Sequence, residues 1–263
     1  MDFNLGDLKE YIGSLKRVDN FTNFFRKYEF IEHEGKEYLA GKEHIQKEAT
    51  TQYNTPALLF ALVRLLKPPH PPQHFDRGSL KKIIPNKNIL RFCKKFGLPY
   101  IEKVNELDPG FELDHFRYRV AWLYTRFSVW YALTFQDERQ PIIKEYATRW
   151  HLDEGSTLEA AKKLLAAEVS MGMMNVRLTS EYKNGKFFIS LYSTSLIDVA
   201  YFQLAGLLTM KEPEVRSHLK TCNNPECKRF FWSLHGHQKY CEFCDRRTVH
   251  ARMKKMGGDN NDG

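Results

Sequence analysis

The sequence predicts a mainly α protein with a β-hairpin, an α+β chain in which a large helical domain precedes a small C-terminal four-cysteine module. Three observations predict it. Apolar residues recur three or four apart over long stretches, most densely across residues 111–135. Two alternating segments, 176–182 and 186–192, flank Asn184-Gly185, a pair that takes the positive φ angles of a tight type I′ turn. Four of the five cysteines fall within residues 222–244. With 263 residues, 42% hydrophobic and 14% aromatic, the chain can bury a sizeable core, so we expect a helical domain over 1–219, a module over 220–256 and a polar flexible tail over 257–263. No apolar run approaches the roughly 18 residues of a membrane span, and a soluble protein is expected.

From the start, Leu8, Tyr11, Ile12, Leu15, Val18, Phe21, Phe24 and Phe25 recur at helical spacing with a break at Asp19-Asn20, which predicts two short helices over 5–27. Residues 30–39 alternate around Gly35, as a short hairpin does. Residues 42–51 are polar and carry no clear period. Pro56 suits a first helical turn, and the helix it opens should run over 57–66 and stop before Pro68. Lys67-Pro-Pro-His-Pro-Pro-Gln-His74 excludes helix and central strand and reads as a linker or rigid loop. Residues 79–96 carry Lys81, Lys82, Lys87, Arg91, Lys94 and Lys95, either the solvated face of a helix or an auxiliary phosphate contact.

Across 111–135, Phe116, Tyr118, Trp122, Tyr124, Phe127, Trp130, Tyr131 and Phe135 lie on one long predicted helix. Burial explains them, as Val120, Leu123 and Leu133 share their spacing. A pocket for a small-molecule effector lined by the same rings is a second reading, and base stacking beside Arg117, Arg119 and Arg126 a third. Two more helices follow over 141–150 and 156–169, the latter opened by Ser156 and Glu159 as a capping box. After the hairpin of 176–192, residues 195–208 form an apolar helix.

Cys222, Cys227, Cys241 and Cys244 form a C-x4-C-x13-C-x2-C pattern. Two close pairs about a dozen residues apart let two tight knuckles bring four thiolates to one tetrahedral zinc ion. Asn223, Asn224 and Pro225 turn the first knuckle so that backbone N–H groups face sulfur, and Gly236 marks a hairpin tip between the knuckles. Two disulfides or unligated thiols are the competing readings, and His235 or His237 could replace one cysteine. Residues 1–11 have neither a basic n-region nor an apolar run, so a reducing, cytoplasmic compartment is expected. Four thiolates close the coordination shell, which makes a single zinc structural and not catalytic.

Charge concentrates in the same segment. The chain carries a net +8, and residues 220–256 hold nine Lys or Arg against three Asp or Glu. Lys228, Arg229 and Lys239 lie between the cysteines, and Arg246, Arg247, Arg252, Lys254 and Lys255 follow them in a run free of proline and glycine up to Met256, as a basic helix would be. These eight are the candidate nucleic-acid contacts.

Cys222-Asn-Asn-Pro-Glu-Cys227, Phe230, the Tyr240-Cys241 step, and Cys244 with Arg247 and a basic tail resemble the CGNR zinc-finger proteins that carry an N-terminal ABATE-type domain. Asp245 and Arg246 stand where that family has glycine and asparagine, and the likeness covers residues 158–256. It implies a helical regulatory or sensor domain, a treble-clef-like or ribbon-like zinc module, and DNA binding in bacterial transcription control; the basic segment by itself would suit RNA as well. From a different class, a zinc-stabilised module meeting an acidic protein partner, or a nuclease with an accessory zinc ribbon, would use the same residues. No phosphate-cradling glycine loop, G-x-S-x-G elbow or H-E-x-x-H pair is present, so no enzyme is expected. The carboxylates Glu102, Glu106, Asp108, Glu112 and Asp114 read as surface charge, with a catalytic metal for phosphodiester cleavage as the alternative.

Overall fold

The most aromatic stretch of the sequence becomes the central helix of the larger unit. The computed structural model describes residues 24–45, 56–66, 77–103, 109–135, 141–148, 157–183, 186–225, 227, 229–233, 236–241 and 244. It divides into two units, residues 1–210 and 211–263.

The first unit contains β1 (Phe24–His33), β2 (Lys36–Ile45), α1 (Ala57–Val63), α2 (Arg77–Ile83), α3 (Asn86–Phe96), β3 (Glu102–Lys103), β4 (Pro109–Glu112), α4 (Leu113–Phe135), α5 (Pro141–Thr148), α6 (Thr157–Gly172), β5 (Arg177–Lys183), β6 (Lys186–Tyr192) and α7 (Leu196–Thr209). Helix α4 is about 34 Å long at 1.5 Å per residue, and α1, α2, α5, α6, α7, β2 and β4 all touch it. Phe116, Val120, Leu123, Tyr124, Phe127, Val129 and Trp130 are buried along it, while Trp122 is exposed, so about half of its rings lie in the core. Helix α1 is apolar on every side and buried from Leu58 through Val63, as a helix must be when neighbours enclose it.

Several polar side chains inside this core are matched. Arg117 is fully buried and donates to Asp114 Oδ1 at 2.5 Å, to the Ile84 carbonyl at 3.0 Å and to Asn86. Arg126 donates to Glu168 Oε1 at 2.9 Å, and Glu168 accepts from the Tyr146 hydroxyl through its other oxygen. Arg119 pairs with Asp198 at 2.7 Å, and the Leu59 N–H donates to Gln203 at 2.8 Å. Arg126 Nε and the Tyr100 hydroxyl are buried with no hydrogen-bond partner among the described residues. The arginines proposed to accompany base stacking therefore spend their charge on internal carboxylates, which leaves that reading without its cations.

Four strands form an antiparallel sheet in the order β1-β2-β4-β3. The expected hairpin around Gly35 is present but far longer than 30–39, and residues 24–27 open β1 where a helix end was expected. Pairing with β2 decides this: Phe24 and Phe25 face Ile45 and His44 across the ladder. Glu34 and Gly35 supply the positive φ angles of the turn, at 49° and 70°. Gly41 has a different reason, because a Cβ there would sit 2.3 Å from the Phe25 ring. The rest of the expected N-terminal helices, the proline-dense segment and the Ser156 cap lie outside the described residues.

Pro85 separates α2 from α3 where one basic stretch was expected. In α3, Ile89, Phe92 and Cys93 face inward while Lys87, Arg91, Lys94 and Lys95 are exposed, a solvated amphipathic face. The second hairpin pairs Arg177 with Tyr192 through to Lys183 with Lys186, and Ser195 caps α7 by accepting from the Ile197 N–H. Among the described residues, no helix is long and apolar enough to cross a membrane.

The second unit opens with α8 (Glu212–His218), followed without a linker by β7 (Leu219–Thr221) and then β8 (Phe230–Trp232). Glu212 and Glu214 occupy the first turn of α8, Arg216 and His218 the last, an order that complements the helix dipole. The His218 ring stacks on Trp232 at 5.0 Å, and the Ser233 N–H donates to the His218 carbonyl at 2.7 Å. These contacts explain why α8 joins this unit, so the division lies ahead of the 219/220 position read from the cysteine spacing.

Candidate metal centre

Two knuckles form because the chain between the paired cysteines turns and bonds to itself. In the first, the Cys227 N–H donates to the Asn224 carbonyl at 2.9 Å, and in the second the Cys244 N–H donates to the Cys241 carbonyl at 2.9 Å. β7 and β8 pair Leu219 with Trp232, Lys220 with Phe231 and Thr221 with Phe230. The Cys222 N–H donates to the Arg229 carbonyl at 2.9 Å, and the Asn223 N–H to the Lys239 carbonyl at 3.0 Å. The second bond crosses from one knuckle to the strand of chain that leads into the other.

The four sulfurs of Cys222, Cys227, Cys241 and Cys244 lie within 4.8 Å of one another. Among the described residues this is the one His, Cys, Asp or Glu cluster placed to hold a metal ion. Cys227 and Cys241 are 3.8 Å apart at sulfur, where a disulfide would need about 2 Å, and none of the four cysteines is in a disulfide. Phe231 covers the cluster with 1% of its surface exposed, and Tyr240 packs beside it. His237 is exposed and takes no part in the cluster, and His235 lies outside the described residues.

Two of the thiols, Cys222 and Cys227, are pushed in opposite directions as acids. Burial pushes Cys222 up, but N–H groups of Cys241 and Asn224 donate to its sulfur and hold the thiol below its ordinary value. Burial pushes Cys227 up to about 12, against the Arg229 N–H and with the negative charge of Cys241 and Cys222 adding to it. Packing one thiolate close to a second raises the cost of ionising the second. A divalent cation removes this conflict, since it deprotonates coordinating thiols outright. The cluster is thus complete as a set of ligands and uncomfortable without a central charge.

Of the eight basic candidates, Arg229 is half-buried and Lys239 exposed on this unit, while Lys228, Arg246, Arg247, Arg252, Lys254 and Lys255 lie outside the described residues. The other described acids named with the carboxylate group are engaged elsewhere: Glu102 with His115, Glu112 with Lys36, and Asp114 with Arg77 and Arg117. Two contributors to the centre escape sequence reading. Phe231 gives no signal beyond an aromatic in a strand, and the Asn224 side chain donates to the Cys244 sulfur at 3.3 Å from 20 residues away. Comparison with protein-family models, curated proteins and solved structures yields no match for the chain.

Proposed function

We propose that the four cysteines hold one structural zinc ion and that the unit built on it binds nucleic acid. The observation that carries the reading is the cluster itself. With Zn–S bonds of about 2.3 Å, a tetrahedral site separates its sulfurs by about 3.8 Å, and the Cys227–Cys241 distance is 3.8 Å. An all-thiolate set favours zinc over hard cations such as magnesium or calcium. Four ligands leave no position for a reacting water, so we assign the ion no catalytic role.

The nucleic-acid half of the proposal rests on charge and on resemblance. Nine cations against three acids between residues 220 and 256 outweigh the two formal negative charges of a zinc tetrathiolate. The likeness to CGNR zinc fingers points to duplex DNA and to cytoplasmic bacterial transcription control, with the first unit as an ABATE-like regulatory partner. In this reading Lys228, Arg229, Lys239, Arg246, Arg247, Arg252, Lys254 and Lys255 meet phosphate or bases.

Duplex binding by the zinc-loaded chain across a salt series tests it. Each neutralised phosphate adds roughly 0.9 to the log-log slope, and Arg247→Ala, at unchanged zinc content and melting temperature, should weaken binding and flatten that slope. Undetectable binding by the wild type would replace DNA with RNA or an acidic protein partner, and unchanged binding by the variant would remove Arg247 from the contact set.

A further inference from the structure

Asn224 touches three of the four cysteines, each with a different group. Its backbone N–H donates to the Cys222 sulfur, its carbonyl accepts the Cys227 N–H at 2.9 Å, and its side-chain nitrogen donates to the Cys244 sulfur at 3.3 Å. The first two contacts close its own knuckle. The third reaches the other knuckle, and the side chain that makes it is 9% exposed, so water does not readily take its place. A thiolate only accepts hydrogen bonds, which fixes the orientation of the amide: NH2 toward sulfur.

We propose that Asn224 is a positioning residue of the metal centre, tying Cys244 to the first knuckle and withdrawing negative charge from its sulfur. This inference rests on the metal reading above and not on nucleic-acid binding. The chemistry follows from the acceptor. A bound thiolate shares its charge between the metal and any donor aimed at it, and a donor lowers both its nucleophilicity and the energy of its lone pairs. The Cys222 and Cys227 sulfurs receive backbone N–H groups, from Asn224 and Cys241 and from Arg229 respectively, which no side-chain substitution removes. Cys244 takes a donor from a side chain, so its sulfur is open to tuning by a single substitution.

Two measurements on the full chain test the proposal. In the wild type loaded with cadmium-113, a scalar coupling should connect the metal to an Asn224 side-chain amide proton through the Cys244 sulfur. In cobalt(II)-loaded protein, Asn224→Asp and Asn224→Ala should move the sulfur-to-metal charge-transfer band to longer wavelength, speed alkylation of the bound thiolates severalfold, and weaken metal binding by about 10- to 100-fold. Asn223→Ala, a change at an exposed neighbour in the same turn, should move none of these. A residue that only shaped the turn would weaken binding and leave the band of the loaded protein in place. Absence of the coupling together with unmoved bands overturns the proposal, and where neither Asn224 variant takes up cobalt the wild-type coupling decides it. A wild type that takes up no cadmium overturns the metal reading and this inference together, and leaves nucleic-acid binding to its own test.

Discussion

The two units of this chain are held by different physics. Residues 1–210 enclose a broad apolar core around α4, with buried ion pairs threaded through it. In residues 211–263 the described apolar residues that are fully buried are Val215, Cys222, Phe231 and Cys241, and two of these four belong to the cysteine cluster placed to hold a metal ion. So few buried apolar residues among those described leave the unit a marginal core of its own, as small units bury a small share of their surface. The difference teaches where each unit is vulnerable: the first to the loss of a well-packed or paired side chain, the second, on the metal reading proposed above, to the loss of a central charge.

The largest effect should come from removing that charge. Structural zinc contributes about 10–16 kcal/mol of apparent binding energy in isolated fingers, so chelation or Cys241→Ser should unfold the second unit and leave α4 and its neighbours protected. Hydrogen exchange resolved by residue checks this, and loss of protection in both units at once would break the comparison. Acid should separate the units in the same order. Protons compete with the metal for thiolates, so metal leaves as pH falls. In the first unit, burial would raise the Asp114 carboxyl, but hydrogen bonds from Arg77 and Arg117 outweigh it and hold the group below its usual 3.8. Its contribution is therefore complete above pH 3.8 and is lost as pH falls through the lower folded value. Metal release should precede loss of α-helix in a titration followed by metal indicator and far-ultraviolet circular dichroism.

Next in size is Glu168→Ala, which leaves Arg126 buried without its carboxylate and the Tyr146 hydroxyl without its acceptor. About 3–5 kcal/mol should be lost from the first unit, read by urea unfolding, with metal content unchanged. A joint replacement of Arg126 and Glu168 by apolar residues should cost less than the single change, because no charge is stranded.

Two glycines sharpen the point within the first unit. Gly41→Ala drives a Cβ into the Phe25 ring and should cost about 1–3 kcal/mol unless the ring finds another rotamer. Gly35→Ala meets no atom within 4 Å but must hold a left-handed φ, at about 1–2 kcal/mol. Thermal melts of both variants should place Gly41 first. The smallest effect belongs to Arg216→Ala on α8, whose exposed i,i+4 pair with Glu212 is worth about 0.3–0.5 kcal/mol and should leave metal affinity untouched.

By itself the sequence determined whatever depends on neighbours along the chain. The spacing of Cys222, Cys227, Cys241 and Cys244 marks the ligand set, since each knuckle closes within a few residues. The periodicity of 111–135 marks α4 except for its first two residues, which belong to β4, and Ser195 marks the start of α7. Tertiary structure decided what depends on partners far away. Residues 24–27 have helical spacing but become strand because β2 offers a ladder for them, and β4 joins that sheet from 70 residues later. The burial of Arg117 was invisible because its compensation comes from Asp114, Asn86 and the Ile84 carbonyl together. The bond from Asn224 to Cys244 belongs to the same class: a hydrogen bond depends on distance and direction in space, and a pattern along the chain carries neither until the two knuckles have met.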